Sequence, residues 1–188
     1  MTSTDSAIPL ASRLCLACGM CCNGTVYDDA RLDAEEIDAA AVAGFSTCRP
    51  ASAGATFALP CHYLDGKACT IYDKWRPDVC SSYFCSLQER AAAGECTEAE
   101  ALEIIATTLG LREQVTSVMR AGETFRQARA RFDALATAGA ALSPDDAALA
   151  VRMLVLERML DQHFRKPGEE RVRAPAEASR PVEAVSRR

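Results

Sequence analysis

The chain has 188 residues, a hydrophobic content of 49% and a formal net charge of -5 at pH 7. That hydrophobic content is enough for a packed core, and the low aromatic content of 6% together with abundant alanine favours helix over sheet. The negative charge argues against a general nucleic-acid-binding surface, and no segment has the roughly 20 apolar residues that a membrane-spanning helix needs.

All ten cysteines lie between Cys15 and Cys96. The segment 1–14 has no basic start followed by a long apolar run, so we expect a flexible N-terminus, no signal peptide and a cytoplasmic protein. In a reducing compartment, crowded thiols indicate metal binding more often than disulfides. The vicinal pair Cys21-Cys22 also fits a disulfide network poorly, because adjacent cysteines rarely meet the required geometry without strain.

The first cysteine block has the spacing C-x2-C-x2-C at Cys15, Cys18 and Cys21, followed directly by Cys22. This spacing equals the opening of bacterial ferredoxin motifs, but Thr25 stands where a ferredoxin has its next cysteine, so the chain is not a ferredoxin. If the segment is helical, Cys15, Cys18 and Cys22 share one face, whereas a loop lets Cys21 join them.

The first predicted helix spans residues 34–43. Asp33 is its expected N-cap, Glu36 completes a capping box, and Gly44 ends it. Around this helix the cysteines alternate with glycine, proline and turn residues. We therefore predict that residues 15–96 form an irregular metal-binding module of short helices and turns.

The second cysteine block has the signals of a hairpin and a helical turn. The Asp-Gly pair at 65–66 reads as a tight turn between two short extended pieces, which brings Cys61 and Cys69 together. Pro77 is expected to open a helical turn that carries Cys80 towards the aromatic residues that follow.

The region 97–165 is predicted to be α-helical, with about three helices. Thr97 and Glu100 form a capping-box signature, and Gly110 is a point where the helix that they open can be interrupted or kinked. A second periodic apolar run follows over residues 115–135.

The last predicted helix begins at Ser143-Pro144, a cap residue followed by proline at the first helical position. Its apolar stripe indicates packing against a core or a partner; the stripe consists of Leu149, Met153, Leu156, Leu160 and Phe164. Residues 166–188 are rich in proline, glutamate, arginine and serine and are predicted to be a disordered tail. The fold class is therefore mainly α.

The cysteines and the residues between them resemble one known family. The elements that carry the resemblance are, in order, Cys15-x2-Cys18-Gly19-x-Cys21-Cys22, Cys61, Cys69-x-Ile71-Tyr72, Arg76-Pro77-x2-Cys80 and Phe84-Cys85. They are similar to the CxxCxxCC family, also called YkgJ-type cysteine cluster proteins or zinc- or iron-chelating domain proteins. The spacer between Tyr72 and Arg76 is one residue longer than the family pattern.

The resemblance implies a metal-chelating module with eight ligands: Cys15, Cys18, Cys21, Cys22, Cys61, Cys69, Cys80 and Cys85. Flagellin lysine-N-methylases carry a similar cysteine block that is associated with an iron–sulfur cluster. The eight thiols can hold one [4Fe–4S] cluster with spare thiols, or two four-sulfur sites that most simply bind zinc. The triple C-x2-C-x2-C spacing favours the iron–sulfur cluster, and zinc stays open.

Weaker hypotheses concern several other residues of the chain. Cys48 and Cys96 fall outside the family pattern and are expected to be ordinary small buried residues. His62 can replace a thiolate or simply make hydrogen bonds, and His163 is assigned no role. Tyr72 and Trp75 are expected to pack around the site.

Arg76 has two interpretations that the sequence does not separate. A guanidinium beside a buried metal–thiolate centre offsets its negative charge through charge-assisted hydrogen bonds. Alternatively, Arg76 is an exposed arginine in a turn.

Three functional hypotheses follow. The first is a non-enzymatic metal-binding protein, an accessory factor or carrier whose C-terminal helices dock a protein partner. The second is an iron–sulfur-dependent enzyme related to the protein methylases, and the third is a structural zinc module for protein interaction. No catalytic or nucleotide-binding motif stands outside the cysteine block, so the sequence leaves open whether the protein is an enzyme.

Overall fold

The structure is a computed structural model that describes residues 8–48, 54–137 and 141–171. Within these ranges the protein is mainly α-helical, as predicted. The α-helices are α1 (Leu10–Cys18), α2 (Ile37–Val42), α3 (Val79–Ser82), α4 (Ser86–Ala92), α5 (Glu98–Thr116), α6 (Phe125–Thr137) and α7 (Pro144–His163). The strands are β1 (Asp29–Leu32), β2 (Thr47–Cys48), β3 (Ala55–Ala58), β4 (Leu64–Asp65) and β5 (Ala68–Cys69).

The helix predicted over residues 34–43 is present, with a first turn of a different type. Its first turn, Ala34–Glu36, is a 3-10 helix, and α2 continues from it. The predicted capping box between Asp33 and Glu36 is formed. Gly44 follows the helix with a φ of 82°, a conformation that glycine adopts without the steric cost of a Cβ.

The cysteine-rich part contains two small antiparallel sheets. In the first, β3 lies between β1 and β2, and Asp29 pairs with Ala58. The second is the hairpin of β4 and β5, in which Leu64 pairs with Cys69. Its turn contains Gly66 at a φ of 59°, so the hairpin predicted from the Asp-Gly pair is confirmed.

The C-terminal helices begin where their caps predict. The Thr97 side chain accepts the backbone N–H of Glu100, and Ser143 Oγ accepts the N–H of Asp146 at 3.2 Å. Gly110 lies inside α5 and does not interrupt it. The periodic run over 115–135 is divided between the end of α5 and helix α6.

Among the described residues, the buried apolar side chains form two separate cores. The large core joins α1, α4 and the three C-terminal helices, and the predicted stripe of α7 lies entirely within it, no member more than 1% exposed. The small core packs the β1–β3–β2 sheet against α2, and its buried members are Leu32, Ala40, Phe45, Ala55 and Phe57.

The ends of the described chain lie against the fold. Helix α1 begins at Leu10, inside the N-terminus that was predicted to be flexible, and residues 1–7 lie outside the described ranges. In the predicted tail, Lys166 pairs with Glu89 at 2.7 Å, whereas residues 172–188 are outside the described ranges. None of the helices described is both long and apolar enough to cross a membrane.

Candidate metal centre

The first cysteine block is half helix and half turn. Cys15 and Cys18 lie on the last turn of α1, which ends at Gly19 with a φ of 65°. The chain then turns tightly around Met20, whose side chain is fully buried and whose carbonyl accepts the N–H groups of Thr25 and Val26 at 3.0 and 3.2 Å. The sequence left helix and loop as alternatives for this block, and the structure contains one after the other.

The second block is joined to the first through the backbone. The N–H of Cys61 donates to the carbonyl of Cys22 at 2.7 Å. The tip of the hairpin also touches the end of α1, since a Cβ built on Gly19 would lie 2.8 Å from the carbonyl oxygen of Lys67. Because that distance is shorter than any real Cβ contact, only glycine allows this approach of the two blocks.

Three further cysteines are placed by the short elements of the second block. Cys69 ends the hairpin strand β5, and the N–H of Cys80 donates to the Pro77 carbonyl at 2.9 Å, as expected for a helical turn after this proline. Cys85 is the N-cap of α4, and its sulfur accepts the backbone N–H of Gln88. The Gln88 side chain in turn accepts the N–H of Cys85 at 3.0 Å.

The electrostatic neighbours of each thiol show which sulfurs are close. Burial is the largest influence on Cys21, followed by the charges of Cys85 and Cys18, and all three raise its pKa. For Cys80 the neighbouring thiols are Cys61 and Cys69.

Cys22 and Cys15 lie between the thiols around Cys21 and those around Cys80. After burial, the pKa of Cys22 is raised by Cys15, Cys61, Cys80 and Cys69, in that order. Cys15 in turn raises the pKa values of Cys18 and Cys85. The structure thus brings the eight predicted ligands together in one region.

Burial keeps these thiols protonated in the metal-free protein. It raises the pKa of Cys18, Cys22 and Cys80 to about 12, and it raises the pKa of Cys21 well above its usual value. A metal ion therefore has to displace protons from these sulfurs, because the thiolate is the form that binds.

Backbone donors offset part of the burial penalty at three sulfurs. N–H groups at the start of α4 donate to Cys85, the N–H of Met20 donates to Cys18, and that of Tyr63 donates to Cys61. Each of these donors lowers the pKa of its thiol and places positive partial charge beside the sulfur.

Arg76 lies beside the thiols. Its guanidinium stacks on the Tyr72 ring, 4.1 Å from the centroid. Burial raises the pKa values of Cys15 and Cys80, and the positive charge of Arg76 opposes that rise at both. Of its two interpretations, the structure supports the one in which Arg76 offsets negative charge at the sulfurs.

A small cavity of about 30 Å³ lies beside the first block. Its cysteine lining consists of Cys15, Cys18, Cys21, Cys22 and Cys85, and the rest of its lining is mostly apolar. No three His, Cys, Asp or Glu side chains among the described residues stand in positions that could hold a metal ion as they are. The donor set fits soft metals, because eight thiols from two blocks converge and no other ligand type is needed.

The remaining candidates lie at the edge of this region. Cys96 is half-buried against the large core, and the side chain of Cys48 is outside the described residues. His62 is exposed, with its ring 4.0 Å from that of Tyr63. Trp75 is 49% exposed, so its expected packing around the site is only partial.

The sequence did not predict a buried charge network that anchors the turn after Cys22. Arg129 on α6 donates to the carbonyls of Gly24 and Thr25, and Arg165 after α7 donates to that of Val26 at 2.9 Å. Both arginines pair with Glu157, which is fully buried, at 2.8 and 2.7 Å. The only signal in the sequence is that these charged residues interrupt otherwise apolar helical faces.

Residues 14–105 match the family model CxxCxxCC, described as a putative zinc- or iron-chelating domain. No curated protein and no solved structure matches the chain. The similarity to flagellin methylases therefore has no support beyond the cysteine block. The matched segment contains all eight of the gathered cysteines, so this part of the chain is similar to the CxxCxxCC family of zinc- or iron-chelating domains.

Proposed function

We propose that this protein binds an iron–sulfur cluster with thiols from among its eight gathered cysteines and acts as an accessory or carrier protein. The observation that carries the proposal is the convergence of both cysteine blocks on the segment that ends α1. The Cys61–Cys22 backbone hydrogen bond and the contact between Gly19 and Lys67 join the blocks directly.

Two features support a cluster as the occupant. The C-x2-C-x2-C spacing suits three irons of one cluster, and backbone N–H groups donate to Cys18, Cys61 and Cys85. Such hydrogen bonds tune the potential of an iron–sulfur cluster, which supplies electron transfer or Lewis acidity when bound.

Zinc is the second candidate, and the small core favours it. Only five buried apolar residues stabilise the sheet next to Cys61 and Cys80, among the residues described. A structural zinc ion would stabilise such a region without redox chemistry.

An accessory role is supported by the shape of the molecule near the thiols. The cavity of about 30 Å³ has room for little more than a water molecule. A more open, largely polar cavity of about 260 Å³ beside α3 is also smaller than the roughly 300–1,000 Å³ of small-molecule sites. Helix α7 exposes Val151, Leu154 and Val155 on one side, each more than 40% accessible. These side chains are spaced as one helical face and are the proposed docking surface for a protein partner.

We also propose a cytoplasmic location. The nine cysteines whose side chains are described are all free thiols, which persist in a reducing compartment.

The test is to purify the protein without oxygen, record its visible spectrum, and measure iron, zinc and sulfide per chain. A brown protein with iron and sulfide supports the cluster, and a colourless protein with stoichiometric zinc replaces it with the zinc module. A folded protein that binds neither metal overturns the proposal. Cys18→Ser and Cys80→Ser should each lower the bound metal, while Cys96→Ser serves as the control and should not.

A further inference from the structure

We infer that the eight thiols form two separate four-sulfur centres, and that the bonded neighbours Cys21 and Cys22 serve different centres. The inference rests on the proposed function that these thiols bind metal, and it holds for either occupant. The first centre comprises Cys15, Cys18, Cys21 and Cys85. The second comprises Cys22, Cys61, Cys69 and Cys80.

The first group is built into the large core. Cys85 is 6% exposed and is a member of that core, and Cys18 and Cys21 pack against it. All four sulfur residues of the group line the small cavity between α1 and the start of α4. Of the second group, Cys22 also reaches that cavity, whereas Cys61, Cys69 and Cys80 do not line it.

The second group lies on the other core. Cys61 and Cys80 pack against the small core beneath the β1–β3–β2 sheet. Cys69 pairs across the hairpin with Leu64, whose N–H donates to the Cys61 carbonyl at 3.1 Å. These contacts hold three sulfur residues beside the small core.

Cys22 joins this second group. Its carbonyl accepts the N–H of Cys61. Its electrostatic neighbours are Cys15 of the first group and then all three other members of the second, whereas Cys85 is not among them. Cys85 instead influences Cys21 more than any other charge does. The turn after Gly19 therefore directs two consecutive side chains into different groups, as adjacent residues on an extended or turning backbone commonly do.

The two centres are consequently close neighbours. Adjacent Cα atoms are 3.8 Å apart and each reaches a metal within roughly 5 Å, so the two metals are at most about 14 Å apart. Cys15 lies between the two groups, since its charge affects Cys22 and the charge of Cys69 affects Cys15. Arg76 lies beside Cys15 of one group and Cys80 of the other, where it offsets negative charge from both.

Paired substitutions test this division. Wild-type protein and variants are loaded without oxygen, in separate samples, with Zn²⁺ or with ferrous iron plus sulfide, and the bound metal per chain is measured. The pair Cys18→Ser with Cys85→Ser should leave half of the wild-type metal, and so should the pair Cys61→Ser with Cys69→Ser. The mixed pair Cys18→Ser with Cys61→Ser damages both centres and should leave well under half.

The vicinal pair gives the sharpest comparison, and alkylation of the thiols that stay free is its readout. In metal-loaded Cys21→Ser, Cys61 and Cys80 should react with iodoacetamide more slowly than in the metal-free protein, while Cys85 should react at its metal-free rate. In Cys22→Ser the pattern should reverse. In each variant the thiols of the unaltered centre should keep their protection by metal. A misfolded variant is therefore recognised because Cys85 loses its protection together with Cys61 and Cys80.

The outcomes separate the two proposals. If wild-type protein binds no metal under either condition, the proposed function fails. If it binds metal but both vicinal variants expose the same thiols, or the two within-group pairs and the mixed pair lose equal amounts, a single centre replaces the two and only the present inference is overturned.

Discussion

The two halves of the metal-binding region pack against hydrophobic cores of very different size. The group around Cys85 is set in a core of sixteen buried residues that the C-terminal helices share, whereas the group around Cys61 adjoins a core of five, counted over the described residues. Buried apolar area is the main source of folding stability, so the first half has a scaffold of its own. The second half resembles the small, loop-rich regions that need a metal or another cross-link to fold.

A further difference lies in how each half is anchored. The turn between Cys21 and β1 is held from outside by Arg129 on α6 and by Arg165 just after α7. The hairpin with Cys69 is held by backbone contacts to the end of α1 and by the packing of Tyr63 and Ile71, which flank it, against the small core. The comparison teaches that the helices contact the first group of thiols directly. They reach the second group through the segment 19–22 and through contacts to β1, such as the ion pair of Arg126 with Asp29 at 2.6 Å.

Removing the metal should have the largest effect and should reveal this asymmetry. A structural zinc site contributes about 10–16 kcal/mol in zinc fingers, far more than a core of five residues can replace. After chelation, amide hydrogens of β1 and β3 should exchange much faster, while those of α5 and α7 should keep most of their protection. Hydrogen exchange with mass spectrometry measures both. Equal loss of protection in sheet and helices would show that one cooperative unit depends on the metal.

Arg129→Met should have the next largest effect, and it acts on the first half. The substitution leaves Glu157 with less compensation in a fully buried position and removes the donors to the carbonyls of Gly24 and Thr25. Breaking a buried ion pair on one side costs about 3–5 kcal/mol. Urea unfolding of the metal-free protein, followed by circular dichroism, measures the loss.

The matched control for that variant is Arg13→Met. Arg13 also pairs with a glutamate, Glu98, at 2.6 Å, but both side chains are about 40% exposed. Solvent screens such pairs, so we expect a change close to zero. If the two variants lost equal stability, the buried network would not be the anchor of the turn.

The sequence predicted most of the local structure because its signals are local. The capping boxes at Asp33 and Thr97, the start at Ser143 and the hairpin at 65–66 each depend on residues within one turn of chain. The burial of the α7 stripe followed from its spacing in the same way.

The division of the thiols was beyond the sequence because it depends on contacts between distant segments. Whether Cys21 faces Cys85 or Cys61 is decided by the turn at Gly19 and by which core each block meets. The burial of Arg129 likewise depends on α6 and α7 packing over the turn at 24–26. The spacing of residues in the sequence gives no information on the direction of Cys21 or on the burial of Arg129. The sequence therefore left open whether the eight thiols form one metal centre or two.

Alkaline pH should weaken the metal-free protein. Burial raises the pKa of Cys18, Cys22 and Cys80 from 9.0 to about 12 in the folded state, so the folded state binds more protons than the unfolded state between these values. Stability is therefore full below about pH 9 and falls as the pH rises towards 12. Urea midpoints at pH 8 and pH 10.5 measure the fall.

A serine triple variant isolates the contribution of those thiols. Cys18→Ser, Cys22→Ser and Cys80→Ser together remove three of the titrating groups, so the difference between the two urea midpoints should shrink. Burial also raises the pKa values of Tyr27 and Tyr83, and these tyrosines keep part of the effect in the variant. An unchanged difference would assign the alkaline loss to groups other than the thiols.

Gly19→Ala should give the smallest change in stability but a selective one. The new Cβ would meet the Lys67 carbonyl at 2.8 Å in a backbone conformation that costs other residues about 1–3 kcal/mol. Because the hairpin approaches the first block at this point, the variant should lose metal from the second group before the first. The control is Gly110→Ala inside α5, where a Cβ meets nothing within 4 Å and should stabilise the helix by about 1 kcal/mol. Metal content together with iodoacetamide labelling of Cys61 and Cys85 distinguishes a selective loss of metal from a general one. If Cys85 were labelled before Cys61, the contact between Gly19 and the hairpin would support the first group of thiols and not the second.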